Sequence, residues 1–397
     1  MQYIYDYPLL LAIVIVLFTA GITTVVIPSL VNIAKIKNLV SNPNNRTSHK
    51  GSVPSLGGVA IFAAMGLAAL LFVDFNKCIP CSFFLAGLFI VFFLGLKDDI
   101  IALDPYKKFA GQIFAAIIIV FFGHTYISNL HGFLGINELT PAVGMFLSII
   151  FIVGLTNSIN LIDGIDGLAA SVGIMATVAF GSWFLLAGHT GLAIISFAIM
   201  GSYSAFVFFN LSQGKNKIFL GDSGSLILGF SISFLAIQFM ELNIASSAYQ
   251  IQASPAVVFG FLVIPVFDTG RVALLRMSMG RSPFTPDKLH VHHRLLFLYL
   301  SHLNVTIILV ITNSLFIVAA ITLERFLDVH ILFGLEFLAA VILSYIPVHK
   351  IKLKNYSVLT DKEKIEYHKV RPYQLRQNDR RLKILPRLAL RSITKKR

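Results

Sequence analysis

Long apolar runs alternate with short polar segments along this 397-residue chain. Eleven such runs fall near residues 8–30, 53–73, 82–96, 109–123, 140–156, 168–187, 191–210, 218–240, 253–275, 303–322 and 329–348. Backbone N–H and C=O groups find no water inside a bilayer, so a crossing segment is a helix of about 20 mainly apolar residues. The pattern therefore predicts an all-α integral membrane protein of about eleven transmembrane helices. The first run leads into a basic loop with no small-residue cleavage site behind it, so it reads as a true span and not as a signal peptide.

Composition agrees: 56% of residues are hydrophobic, 13% are charged and the mean hydropathy is +0.80. Soluble domains of this length carry about twice that share of charge. Charge then sets an orientation. Of the loops between the runs, 31–52, 97–108, 157–167, 211–217 and 276–302, with the tail, hold nearly all the Lys and Arg. The alternate set holds only Lys77 and Arg325. By the positive-inside rule the C-terminus is expected in the cytoplasm and the N-terminus outside. The expected organisation is a transmembrane catalytic domain over residues 1–348 and a basic tail over 349–397.

The formal charge of +13 is concentrated at one end, where residues 349–397 contain sixteen Lys or Arg against four acids. A basic stretch next to a span attracts anionic lipid at ~1 kcal/mol per residue, and this reading is preferred to nucleic-acid binding. Cys78 and Cys81, in "KCIPC", fall in an external loop and read as two free thiols in preference to a disulfide.

Carboxylates beside a bilayer are costly, which makes them functional candidates. Asp98 and Asp99 adjoin in "LGLKDDI" directly after an apolar run. Helical neighbours point about 100° apart, so one carboxylate would face the chemistry and the other would organise it. Lys107 and Lys108 open the next run, where a short turn would bring them near that pair. In "NSINLIDGIDGLAA", Asn157, Asn160, Asp163 and Asp166 recur three apart, with Gly164 and Gly167 interleaved, one directly after each aspartate. One acid in such a place reads as a helix cap, but a cap does not account for all four. "GDSGS" places Asp222 at the start of another run, as a cap or a metal ligand. The loop "GRSPFTPDKLHVHHRLL" carries His290, His292 and His293 with Arg281, Lys288 and Arg294. Three histidines without a spaced cysteine or carboxylate are a poor zinc set, and an anion suits them better. Acids and carboxamides for a divalent cation, with bases for anions, all fall on the expected cytoplasmic side. Phosphoryl transfer needs that equipment, since its catalysis is mostly positioning and charge neutralisation.

The ordered set "RTSHKGSVPSLGGVAIF", "LGLKDDI", "NSINLIDGIDGLAA", "FLGDSGSLILGF" and "PDKLHVHHRL" resembles the polyprenyl-phosphate N-acetylhexosamine-1-phosphate transferases over about residues 1–350. The resemblance implies a bacterial inner-membrane enzyme that moves HexNAc 1-phosphate from a UDP-HexNAc to undecaprenyl phosphate and releases UMP. It also implies a cytoplasm-facing site and Mg²⁺, with Mn²⁺ as a substitute. The HxHH spacing resembles the GlcNAc-1-phosphate branch. The peptidoglycan branch, which transfers phospho-MurNAc-pentapeptide, usually has three consecutive histidines, and Val291 interrupts the run here.

By the same resemblance Asp98 and Asp99 are catalytic, with Asp98 favoured as the base. Asp222 would bind metal, with Asn160 as a second ligand. Asp163, Asp166 and Lys50 would lie near the nucleotide, Lys108 at the diphosphate, and His290, His292 and His293 at sugar and phosphate. Direct attack of the lipid phosphate and a covalent route through Asp98 or Asp99 use the same residues. A homodimer is compatible with the resemblance. Two rivals fit less well. A transporter would place its acids near the midplane and show internal repeats, and a CDP-alcohol phosphotransferase would carry an Arg that "DGLAAS" lacks.

Overall fold

The computed structural model describes residues 7–37, 53–245, 248–283, 289–298 and 300–358. Among these residues the elements are helices: α1 (Pro8–Ile36), α2 (Gly57–Phe72), α3 (Ile79–Ile100), α4 (Pro105–Ile117, continued by a π turn to Phe122) and α5 (Pro141–Ile162). Next come α6 (Leu168–Leu186), α7 (Thr190–Leu211), α8 (Gly221–Ala245), α9 (Ser254–Phe261) and α10 (Val263–Ser278). The last three are α11 (Val291–Phe297), α12 (His302–Leu323) and α13 (Val329–Val358). Proline stands in the first turn of α1, α3, α4, α5 and α9, where its missing N–H leaves no bond unmade.

Each apolar run of the sequence has a helical counterpart. Among the described residues nine helices are long and apolar enough to cross a membrane, ten if α9 and α10 together make one bent span, and α2 is a shorter apolar helix. The protein is an all-α integral membrane protein.

Helix α8 is the axis of the molecule. It packs against α2, α3, α5 and α6 and is buried along most of its length. Lipid tails are as apolar as leucine, so helices in a membrane associate through close packing, and small residues permit it. A side chain at Gly95 on α3 would run into the Ser223 backbone of α8, and one at Gly229 would meet Thr156 of α5. Aromatic rings fill the wider gaps, with Phe84 stacked on Phe234 at 4.5 Å. The tight glycine contact at Gly95 is what sets Asp98 and Asp99 beside the start of α8.

The run at 253–275 departs from a straight span: its two halves, α9 and α10, meet at 84°. Pro265 lies four residues after Phe261, so it cannot donate to the Phe261 carbonyl and its ring crowds that group. Asn313 of α12 makes good the loss, donating from Nδ2 to Phe261 O at 3.1 Å and accepting from Ile264 N at 3.5 Å. A broken helix inside a bundle needs such a partner.

The expectation of free thiols is corrected, because Cys78 and Cys81 form a disulfide with Cα atoms 5.3 Å apart. Cys78 stands just before α3 and Cys81 in its first turn, which brings the pair within bridging range. The long 123–140 connection is tied down at this same end of the bundle. Glu241 accepts from Ser128 N at 2.7 Å and from Ser128 Oγ at 2.6 Å. The acidic and histidine motifs gather at the opposite end.

Candidate active site

Helix α3 ends on Asp98 and Asp99, and the turn that follows aims both. Asp98 Oδ1 accepts from Leu103 N at 2.7 Å, which pins the turn, and Asp104 caps α4 by accepting from Tyr106 N at 2.9 Å. With Pro105 at the first position, Lys108 comes one turn into α4. Its Nζ lies 2.9 Å from Asp98 Oδ2 and 2.8 Å from Asp222 Oδ1. Lys107 points to the surface.

Asp99 has different work. It accepts from Asp222 N at 2.6 Å, Ser223 N at 3.0 Å and Ser223 Oγ at 2.6 Å. These are free donors of the first turn of α8, so Asp99 caps that helix from a neighbouring one. Gly221 permits the approach. It has φ +75°, and any side chain there would lie 2.7 Å from both Asp99 oxygens. The adjacent acids thus divide as the sequence suggests, with Asp98 facing a charged partner and Asp99 organising the helix that carries Asp222.

Asn160, in the last turn of α5, donates to Asp222 Oδ1 and to Ser225 Oγ, the latter at 2.7 Å. Asn157 is turned to Gln112 Oε1 at 2.6 Å, one turn beyond Lys108 on α4. The chain then makes a tight turn through Asp163–Gly167, stitched by Asn210, which accepts from Gly167 N at 2.6 Å and donates to Ile218 O at 2.9 Å. Lys217 pairs with Asp166 at 2.7 Å, and Thr306 of α12 donates to the Asp166 carbonyl at 2.8 Å. Asp163 lies past the end of α5. Burial first, then the negative charges of Asp222, Asp99 and Asp166, hold its carboxyl well above the usual carboxylate range.

The histidine motif packs onto this turn. His292 Nε2 would be 3.0 Å from a side chain at Gly164, so the glycine makes room for the ring. The His292 and His293 rings are 4.2 Å apart, and the His290 and His292 rings 5.6 Å. Burial, then His293, pushes His292 down to about 3, so it is a neutral imidazole at physiological pH. Beneath the loop lies an acid absent from the sequence expectations. Asp268 on α10 is 3% exposed; it stands 2.9 Å from His290 Nδ1 and accepts from Arg271. The signal was present as two opposite charges three apart, "DTGR", inside an apolar run. Lys217, Asn210 and Gln112 also escaped the motif reading, since none belongs to a repeated pattern of polar residues.

Of the predicted site residues, Asp98, Asp99, Lys108, Asp222 and Asn160 form one contact network. Asp163, Asp166, His290, His292 and His293 form its continuation across the Asp163–Gly167 turn. Lys50 and Lys288 lie outside the described residues.

Among the described residues no three His, Cys, Asp or Glu side chains gather as a closed metal shell. Mg²⁺ does not require one, since it usually takes one or two carboxylates together with substrate phosphates and water. The residues present fit that use. Asp98 and Asp222 share one cationic partner, the Lys108 ammonium, and the Asn160 carboxamide touches the same Asp222 oxygen. Asp98, Asp222 and Asn160 each carry a hard oxygen donor, and Asp222 stands at the start of α8.

Known proteins carry the same arrangement of sequence. Residues 81–240 match the family model described as Glycosyl transferase family 4. A Bacillus subtilis (strain 168) protein, named a probable undecaprenyl-phosphate N-acetylglucosaminyl 1-phosphate transferase, is 32% identical over 314 residues, covering 78% of this chain and 85% of that protein. A Mycobacterium leprae (strain TN) protein, named decaprenyl-phosphate N-acetylglucosaminephosphotransferase, is 34% identical over 319 residues, covering 73% and 78%. The Escherichia coli (strain K12) undecaprenyl-phosphate alpha-N-acetylglucosaminyl 1-phosphate transferase is 29% identical over 265 residues, covering 66% and 70%.

Proposed function

Because this chain belongs to the polyprenyl-phosphate N-acetylhexosamine-1-phosphate transferase family, we propose that it transfers GlcNAc 1-phosphate from UDP-GlcNAc to undecaprenyl phosphate. The products are undecaprenyl-diphosphate-GlcNAc and UMP, and the reaction opens the synthesis of a cell-envelope polysaccharide. One observation supports this reading above the others. Asp98, Lys108, Asn160 and Asp222, drawn from four separate helices, meet at the end of the bundle where a lipid phosphate would arrive.

A phosphate oxygen of the acceptor attacks the sugar-bearing phosphorus of the donor. The bond from that phosphorus to the bridging oxygen breaks, and UMP departs with the electron pair. Asp98 takes the acceptor's proton, and Lys108 neutralises charge building on the transferred phosphoryl group. Asp222 and Asn160 would hold Mg²⁺, which supplies further neutralisation of the diphosphate when bound. Asp163, Asp166 and Lys50 border the nucleotide, and His290, His292 and His293 receive the sugar and its phosphate. Asp99 holds α8 so that Asp222 keeps its place.

The site faces the cytoplasm of a bacterial inner membrane, following the basic loops of the same side. The tail of residues 349–397 lies on anionic lipid in this account. The experiment is UMP release by the purified full chain with undecaprenyl phosphate, Mg²⁺ and a panel of UDP-HexNAc sugars. Release with UDP-GlcNAc that needs both lipid and metal is expected. Release that ignores either would overturn the reading.

A further inference from the structure

The histidine motif is held by a residue that neither the motif nor the transfer chemistry above accounts for. Asp268 contributes both its oxygens. Oδ2 lies 2.9 Å from His290 Nδ1, while the Val291 backbone N–H reaches both oxygens at 3.1 and 3.2 Å. Arg271 donates to Oδ1 and also to the Leu289 carbonyl at 2.9 Å, so one guanidinium clasps the acid and the chain just before the histidines.

This contact determines what His290 can do. A carboxylate accepts, so the Nδ1 that faces it must carry the proton, and Nε2 becomes the open position of the ring. His290 is 3% exposed, yet its Nε2 has no hydrogen-bond partner among the described residues. His292, 2% exposed, is in the same condition at its own Nε2. The two rings lie nearly parallel, at 15°, and His292 Nε2 borders Gly164 in the Asp163–Gly167 turn. A buried polar atom without a partner is costly to keep. Two of them side by side, against the acidic turn, point to a polar ligand that both would meet.

We propose that Asp268 is a positioning residue for donor recognition: it sets the Nδ1–H tautomer and the aim of His290, whose Nε2, beside that of His292, meets the phosphate–sugar portion of the donor. The inference rests on the transferase reading above. A bland alternative exists, in which Asp268 only neutralises Arg271 and ties down the Val291 N–H. The two differ in whether Asp268 acts through His290.

The test is a double-mutant cycle on the full chain, read as kcat and KM for UDP-GlcNAc in UMP release, with Asp268→Asn, His290→Ala and the double variant. In Asp268→Asn the single carboxamide oxygen is claimed by Arg271, which leaves an N–H₂ facing His290 and forces the opposite tautomer. A loss of about 10–100-fold is expected, in the same kinetic parameter that His290→Ala lowers. The double variant should be no worse than His290→Ala alone. Melting and size-exclusion profiles accompany each protein. If an unpaired Arg271 prevents Asp268→Asn from folding, Asp268→Asn/Arg271→Gln removes both charges and enters the cycle in its place. Losses that multiply in the double variant, or kinetics of Asp268→Asn equal to wild type, would overturn the inference while the transferase reading stands. A wild type that turns over no UDP-sugar would overturn the reading itself, and the inference with it.

Discussion

The two ends of the helix bundle both contain carboxylates among apolar helices, and they use them differently. At one end Glu241 spends both oxygens on the neutral donors of the Ser128 segment, and with the Cys78–Cys81 disulfide it fastens loops to the ends of helices. At the other end Asp98, Asp99, Asp163, Asp166 and Asp222 come from three stretches of chain and crowd together, with Lys108 and Lys217 as their ion-pair partners. A fold that wanted only stability would not gather like charges, since neighbouring carboxylates raise one another's cost of ionisation. The contrast teaches that a lone carboxylate satisfied by neutral hydrogen-bond donors is structural, whereas carboxylates that converge and outnumber their cationic partners mark where a ligand must supply the missing charge.

The comparison can be broken most plainly by exchanging charge at each end. Asp222→Asn should lower the rate of UMP release by about 10²–10³-fold, while Glu241→Gln should leave it within about threefold. Equal losses at the two ends would erase the distinction. A finer split lies inside the acidic end. Asp99→Ala uncovers the first turn of α8 and should cost about 1–3 kcal/mol in unfolding free energy. Asp98→Ala should cost less stability and still abolish turnover. If both variants lose stability alike, the division of the pair fails.

Protonation gives a third probe. His292 is held at about 3 in the fold against an ordinary 6.5. Below about pH 6.5 the unfolded chain therefore takes up a proton that the folded one refuses. Its contribution to stability is full above that pH and is lost as pH falls toward about 3. Between about pH 7 and 5 the loss is on the order of 2 kcal/mol, and His292→Gln should flatten this slope in a melting series. A slope unchanged by the substitution would show the imidazole is not buried neutral. The smallest effect is expected outside both ends, where Asn313→Ala leaves the Phe261 carbonyl unpaired at about 1 kcal/mol. Melting curves of that variant matching wild type would mean the α9–α10 break needs no such support.

Much of this was legible beforehand. Hydropathy located every long apolar helix, because a bilayer demands such runs whatever the packing, but not the short α11, which falls in the 276–302 loop. It was blind to the 84° break at Leu262, since Pro265 changes hydrogen bonding without changing hydropathy. The acidic network was readable through repeated motifs at the ends of runs, and the turn after Asp99 brought Lys108 beside Asp98 as the spacing suggested. Asp268 was passed over because Arg271 stands three residues later, and the two charges cancel within a window of apolar neighbours. Asn210 and Lys217 had no pattern of their own; their use depends on how α6, α7 and α8 pack. Cys78 and Cys81 misled because three-residue spacing alone does not say whether the chain between them turns.

The most direct test of the central claim joins the two halves of the acidic network in one assay. UMP release from UDP-GlcNAc would be followed with undecaprenyl phosphate and Mg²⁺ for wild type, Asp98→Asn and Lys108→Gln, each shown to be folded. Lipid-dependent release by wild type, lost in both variants, is the result expected if the convergent charges perform the transfer. Full activity in either folded variant would contradict it.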